Sequence, residues 1–273
     1  MYIRFYNARI LTMENSELLI GELWVQNERI LYVGDGSDTD EVYAGLELSS
    51  IIWDREIDCE GNLLMPGFKD AHTHSGMTLL RSYADDLPLQ DWLNKQVFPV
   101  EAKLDGEKIY HLTQLAILEY LTSGITAIFD MYLTPQTVAR ACSDMGMRCV
   151  QVGALNNFSQ SLELVEEMYQ KLNGNDPLLS YVIGFHAEYT CSRELLEGIA
   201  ALAHKYQAPV YTHLAETQTE VSECKGRYGV TPAVLLDQMG IFDFGGGGYH
   251  CVHMTAEDMD VFAKHHLSVV TNP

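Results

Sequence analysis

Apolar positions fall in two textures along the chain. In the first sixty residues, "YIRFYNARILTM", "GELWVQNERILYVG" and "SIIWDREIDCEGNLLM" are rich in Ile, Leu, Val, Tyr and Trp, and polar or glycine-containing turns separate them. These runs predict short β-strands. From Gly61 onward the pattern becomes strand, then helix, repeated. The strand-like runs are "LLMPGFKDAHTH", "GITAIFDMY", "MRCVQVGAL", "LSYVIGFHAEYT", "APVYTHLAE", "GYHCVHM" and "HLSVVTNP". Between them, apolar residues recur at helical spacing over residues 107–123, 134–145, 162–172, 193–206 and 255–265. Thr255 followed by Asp258 reads as a helix-opening cap.

Alternating strands and helices predict an α/β fold, either a doubly wound parallel sheet or a (β/α)8 TIM-like barrel. No G-x-G-x-x-G follows the first strand, which weakens the dinucleotide-binding version. "GGGG" at 245–248 lacks the Lys-Ser/Thr of a phosphate loop and reads as a flexible turn before a strand. The barrel is favoured by where polar residues fall. His72 and His74, Asp130, His186, His213 with Glu216, and His250 all sit at or just past the C-terminal ends of strand-like runs. In a barrel those ends share one rim, where the active site lies. The chain supplies seven such strands and stops at Pro273 after the seventh, so the expected barrel lacks its eighth. The expected division is residues 1–62 as an N-terminal β part and 63–273 as the barrel.

Composition narrows the partners. The chain has 273 residues, 47% of them apolar, enough for one large domain with a small appendage. Its formal charge of −21 argues against nucleic acid and anionic membrane, both of which repel it. Six cysteines include no C-x-x-C pair, and no basic start precedes an apolar segment. No apolar run is long enough to span a bilayer. The simplest localisation is a reducing cytoplasm, with the cysteines as core residues.

The stretch "LLMPGFKDAHTHSGM" carries the chemistry. Side chains alternate along a strand, so His72 and His74 share a face about 6–7 Å apart. That suits two imidazoles on one metal ion, and equally two unrelated histidines on a wet strand end. His213 in "VYTHLAE" adds a third imidazole at another strand end, with Glu216 three residues on. Three histidines and an open position describe a catalytic zinc site better than a closed structural one. A glutamate beside such a site takes a proton from water and passes it to the substrate nitrogen or leaving group. Glu216 also fits as a helix N-terminal carboxylate, and the two roles are compatible. His186 and His250 cap their strands or, beside three ligands, polarise substrate. His204, His253, His265 and His266 read as structural, and His111 as a packing residue on the apolar face of its helix. Asp70 shares the face of His72 and His74 at a deeper level, as support for the site or a satisfied interior polar group.

Together these motifs resemble the amidohydrolase superfamily, in particular its mononuclear-metal deaminase branch of 5-methylthioadenosine/S-adenosylhomocysteine deaminases and related chlorohydrolases. "MPGFKDAHTHSGMTLLRSYADDLPLQDWL", "VFPVE", "GFHAEYTCS", "VYTHLAETQTEV" and "HCVH" stand in the family's order and spacing across the chain. The resemblance implies a (β/α)8 barrel with a small β-sandwich built from both chain ends. It implies one divalent metal ion, usually zinc, on His72, His74 and His213, with Glu216 as proton shuttle. His250 then contacts the attacking hydroxide or substrate, His186 binds substrate, and Glu101 in "VFPVE" holds a nucleoside ribose. The fourth barrel strand ends "GFHAEYT" without the lysine that bridges two metals, so one ion is expected.

Two departures matter. Methylthioadenosine-type relatives carry an arginine in barrel strand three where this chain has Gly153, and Arg148 at the strand start cannot replace it. The family's last ligand is an aspartate after strand eight, and this chain ends before that position. The expected function is hydrolytic deamination of an aminated purine nucleoside or related heterocycle, a small-molecule substrate. The alternatives are a hydrolase expelling chloride from a substituted ring and a catalytically silent fragment. The polypeptide ending at Pro273 is expected to be inactive or nearly so, to hold metal weakly or not at all, and to fold only if a second copy or another chain covers its open edge.

Overall fold

The computed structural model describes residues 1–46 and 50–272. The chain divides into two compact units, Met1–Gly67 and Phe68–Pro273.

In the first unit, β1 (Tyr2–Ile10), β2 (Leu19–Gln26), β3 (Arg29–Gly34), β4 (Arg55–Asp58) and β5 (Leu63–Leu64) form one sheet. β2 and β3 are antiparallel neighbours, and β1 pairs with β2 antiparallel but with β4 and β5 in parallel. A bulge between Phe5 and Ala8, with Asn7 at φ 54°, shifts the β1–β2 register. The buried face gathers Trp24, Tyr32 and Ile51, with Tyr43 and Trp53 against the indole. Trp24 Nε1 donates to Glu22 at 2.8 Å, and Arg4 closes an ion pair on the same carboxylate. Because Leu63–Leu64 pairs with β1, residues 63–67 belong to this unit, a few residues past the expected division.

The second unit is built on seven strands: β6 (Phe68–Thr73), β7 (Ile125–Met131), β8 (Arg148–Val152), β9 (Leu179–Ala187), β10 (Val210–Leu214), β11 (Gly246–His250) and β12 (Ser268–Val270). They lie side by side in chain order, all parallel, as seven consecutive strands of a (β/α)8 barrel. Parallel order requires a crossover between each pair of strands, and helices at Gly106–Thr122, Pro135–Met145, Leu162–Leu172, Arg193–Tyr206, Gln218–Tyr228, Pro232–Gln238 and Ala256–His265 supply them. The predicted cap is present: Thr255 accepts the Asp258 amide while Asp258 accepts the Thr255 amide. Helix Arg193–Tyr206 shows how the layers lock. Ser192 caps its start, Gln207 ends it in the left-handed region, and Leu196, Ile199 and Ala203 are sealed against Phe185 and Val210 of the sheet. Each such Leu or Ile contributes about 1.5–3 kcal/mol by leaving water.

Two expectations need correction. The glycine run is no flexible turn, because Gly246–His250 is β11, paired with β10 from Val210↔Gly246 onward. A Cβ at Gly246 would lie 1.9 Å from the Val210 carbonyl oxygen, so the strands approach too closely for any side chain there. His111 is exposed and bonds Gln114 at 3.1 Å instead of packing. The cysteines behave as read: all six are free thiols, and Cys142, Cys149, Cys191 and Cys224 are buried. Among the described residues no helix is long and apolar enough to cross a membrane.

Candidate active site

Parallel strands place their C-terminal ends on one rim, and the histidines expected there come together. Ring centroids lie 4.8 Å apart for His72–His74, 4.9 Å for His72–His213 and 5.3 Å for His74–His213. His250 joins at 5.3 Å from His72 and 5.4 Å from His213, stacked on the latter, and His186 lies 4.9 Å from His213. His72, His213 and His250 each offer a ligand atom within 4.8 Å of the other two. His74 adjoins it with Nε2 3.4 Å from His213 Nε2.

Neighbouring strands fix these rings. His74 Nδ1 meets the Met131 carbonyl at 2.5 Å, and His213 Nδ1 meets the His186 carbonyl at 2.7 Å. A carbonyl only accepts, so each Nδ1 carries the proton and each Nε2 presents a lone pair. Asp130 at the end of β7 accepts the Ser75 amide and steadies the turn that carries His74. Among the described residues neither nitrogen of His72 has a hydrogen-bond partner, though the ring is only 6% exposed and stacks on Tyr249 at 3.8 Å. At the end of β11, His250 and Cys251 take successive left-handed φ values of 69° and 53°, which turns the His250 ring back toward the rim.

Burial keeps the imidazoles neutral. It lowers His72 to about 2, with His74, His250 and His186 adding like charge. His186 and His250 fall to about 4, burial first and His74 second. His213 is also pushed well down, by burial and then His186, His74 and His72. The arrangement fits a cation. Two Nε2 lone pairs facing at 3.4 Å repel each other, and an ion held tetrahedrally at 2.0–2.1 Å from each nitrogen spaces them about 3.3–3.4 Å apart. The orphaned His72 nitrogens supply a further donor.

Glu216 lies just past β10, its Oε1 3.6 Å from His250 Nε2. Burial, then the charge of Glu220, raises its carboxyl to about 7. Glu220 was missed in the reading of the sequence, although Thr217-x-x-Glu220 spells a capping box. Thr217 does accept the Glu220 amide at 3.1 Å, but the Glu220 carboxylate reaches back to the amides of Ala215 and Glu216.

The rim opens on a cavity of about 760 Å³. All seven expected site residues line it: His72, His74, Glu101, His186, His213, Glu216 and His250. Glu101 ends a helical stretch over residues 89–101 that widens to a π turn at Leu93–Val97. Pro99 has no N–H to return to the preceding turn, and the wider winding accommodates that loss. Burial raises the Glu101 pKa, opposed by the nearby Tyr132 hydroxyl. His186 Nδ1 lies 3.1 Å from Thr190 Oγ1, which fixes its ring toward the cavity.

A parallel barrel that gathers neutral imidazoles and a high-pKa carboxyl on its C-terminal rim presents the donor set that a divalent cation needs. The sequence matches the amidohydrolase family over residues 63–273, and the chain belongs to that family. It is 40% identical over 273 aligned residues to a 5-methylthioadenosine/S-adenosylhomocysteine deaminase of Desulforamulus reducens, covering 97% of this chain and 61% of the relative. An adenosine deaminase from Xanthomonas campestris, solved with bound zinc, superposes with a TM-score of 0.87 at 29% identity, covering 99% of this chain and 62% of that one. An atrazine chlorohydrolase from Arthrobacter aurescens, also solved with zinc, shares the fold at a TM-score of 0.82 and 19% identity, covering 98% and 65%. The chain thus spans about three fifths of the length of these relatives.

Proposed function

We propose that this protein is a divalent-metal-dependent hydrolase that deaminates an aminated purine nucleoside or related heterocycle. We read the ion as zinc, held by His72, His74 and His213. The observation that carries this reading is the pair of facing Nε2 lone pairs on His74 and His213, 3.4 Å apart beside a carboxyl with a pKa of about 7. The names of the relatives agree with it. Zinc, when bound, supplies a Lewis acid that polarises water.

The residues then divide the work. Glu216, poised near neutrality, takes one proton from the attacking water and delivers it to the ring nitrogen beside the amino-bearing carbon. The new C–O bond forms, the C–N bond breaks, and the remaining hydroxyl proton leaves with the amino group as ammonia. His250, 3.6 Å from Glu216, is placed to contact the attacking oxygen. His186, lining the same cavity, contacts the ring, and Glu101 receives the ribose hydroxyls. The first unit, in this reading, is one share of a small β-sandwich.

The test is metal content and ammonia release from adenosine and 5′-methylthioadenosine by the intact zinc-loaded protein. About one zinc per chain with ammonia released supports the reading. Chloride release from a chlorinated heterocycle without deamination would replace it with the chlorohydrolase alternative, and bound zinc without turnover of either would overturn both.

A further inference from the structure

We propose that the outer end of the cavity is built for an uncharged, apolar substituent, and that Phe158 is the specificity-determining residue there. The protein then takes a neutral nucleoside such as 5′-methylthioadenosine in preference to one whose tail carries a carboxylate, such as S-adenosylhomocysteine. This rests on the deaminase reading and adds the chemistry of the tail.

Exposure orients the substrate. His72 and His213, at the reacting end, are 6% and 5% exposed, whereas Phe98 and Phe158, which also line the cavity, are 40% and 86% exposed. A ring delivered to the histidines therefore sends its tail outward, past Phe98 and Phe158. Among the described residues that line the cavity there is no lysine or arginine, and its acidic side chains are Glu101 and Glu216. The tail of S-adenosylhomocysteine carries an ammonium and a carboxylate; the carboxylate finds no cation along this lining, and both charges would give up water to lie against the phenyl rings. Gly153 adds no cation either: a Cβ there would lie 2.6 Å from the Gly184 carbonyl oxygen, so the position is packed backbone to backbone.

Phe158 is a large apolar ring held in water by an ordered loop. Asn156 Oδ1 accepts the amides of Phe158 at 2.8 Å and Ser159 at 3.0 Å, and Asn156 Nδ2 donates to Ser159 Oγ at 2.8 Å. The next residue ties the loop to its neighbour: Asn157 donates its amide to the Thr190 carbonyl at 3.0 Å, and its Oδ1 accepts the Ser192 amide at 3.0 Å. These bonds fix the backbone that carries Phe158, and its ring, 86% exposed, forgoes the gain of burial. A thioether tail restores that gain by covering the ring and adds sulfur–aromatic contact.

The experiment measures Kd for adenosine, 5′-methylthioadenosine and S-adenosylhomocysteine on the zinc-free protein, with kcat/KM on the zinc-loaded protein. S-adenosylhomocysteine is expected to bind at least about tenfold more weakly than 5′-methylthioadenosine. Phe158→Ala should weaken 5′-methylthioadenosine by about fivefold to tenfold while moving adenosine less than about twofold. Phe158→Arg should recover S-adenosylhomocysteine binding by about tenfold, since it supplies the missing cation. Equal affinity for the two tails, or equal losses for adenosine and 5′-methylthioadenosine in Phe158→Ala, would overturn the proposal. Ammonia released equally well from both tailed substrates would sink this inference and leave the deaminase reading standing. The binding preference with no ammonia from any substrate would do the reverse.

Discussion

Glu220 holds Glu216 by its backbone: Oε2 of the first accepts the amide N–H of the second at 2.9 Å, while Oε1 accepts the Ala215 amide at 2.7 Å. Ala215 sits at φ 49°, so the carboxylate clamps a left-handed turn that aims Glu216 into the cavity. A glutamine here keeps the volume but turns an NH2 toward one of the two amides. Glu220→Gln should lower kcat by about tenfold with little change in KM, the scale of lost positioning. Removing the charge beside Glu216 should also shift the acid limb of the rate profile to lower pH. An unmoved acid limb with unchanged kcat would show that Glu220 only caps its helix.

Glu216→Gln tests the shuttle itself. The variant should keep its fold and its zinc and lose about 10²-fold or more in kcat. Near-normal turnover at full metal content would assign the proton transfer to another group.

His72→Phe separates metal binding from packing. The ring stacks on Tyr249, and its two nitrogens are buried without partners among the described residues, so phenylalanine keeps the stack and removes an uncompensated cost. The zinc-free variant should be as stable as its parent or more so. Zinc at about 100 times its Kd should stabilise the parent by about 2.7 kcal/mol and leave the variant unmoved. A parent whose melting temperature ignores zinc, or a variant that still responds, contradicts the assignment of His72 as a ligand.

Arg227→Met should give a pH-dependent loss. Glu188 is 2% exposed; burial raises its pKa, and the Arg227 guanidinium at 2.5 Å draws it back. A carboxyl raised in the folded state contributes its full stability below the unfolded pKa and loses it as pH climbs through the folded value. Without Arg227 the folded pKa rises further, so the variant should differ little from its parent below about pH 4 and be about 2 kcal/mol less stable near pH 8. Urea melts across that range check the sign, and a loss largest in acid would refute it.

How much of this was legible follows from where the side chains point. The strands announced themselves because each is a short apolar run ending in a polar residue, as in "VYTHLAE". Six of the seven candidate residues were legible for the same reason, standing at or just past strand ends, whereas Glu101 ends a helical stretch and was read only from the family resemblance. Helix Gln218–Tyr228 was not, because it buries little beyond Val221, Cys224 and the charged Glu220, leaving no apolar stripe to read. The start of β11 lay hidden in its glycines 246–248, and the meaning of Gly246 lies in how close Val210 comes from a different strand. Phe158 carries no signal of its own; only its exposure beside a cavity distinguishes it from a core phenylalanine.

The π turn at Leu93–Val97 makes chain length, as well as side-chain identity, an evolutionary dial on this pocket. Deleting one residue within it would let the segment relax to ordinary α-helical winding and rotate everything downstream by about 100°. Phe98 and Glu101 would swing off the cavity wall together, while the strand-end histidines stayed where they are. A lineage could thus reshape this pocket through a three-nucleotide deletion, without a substitution in the barrel or among the proposed catalytic groups.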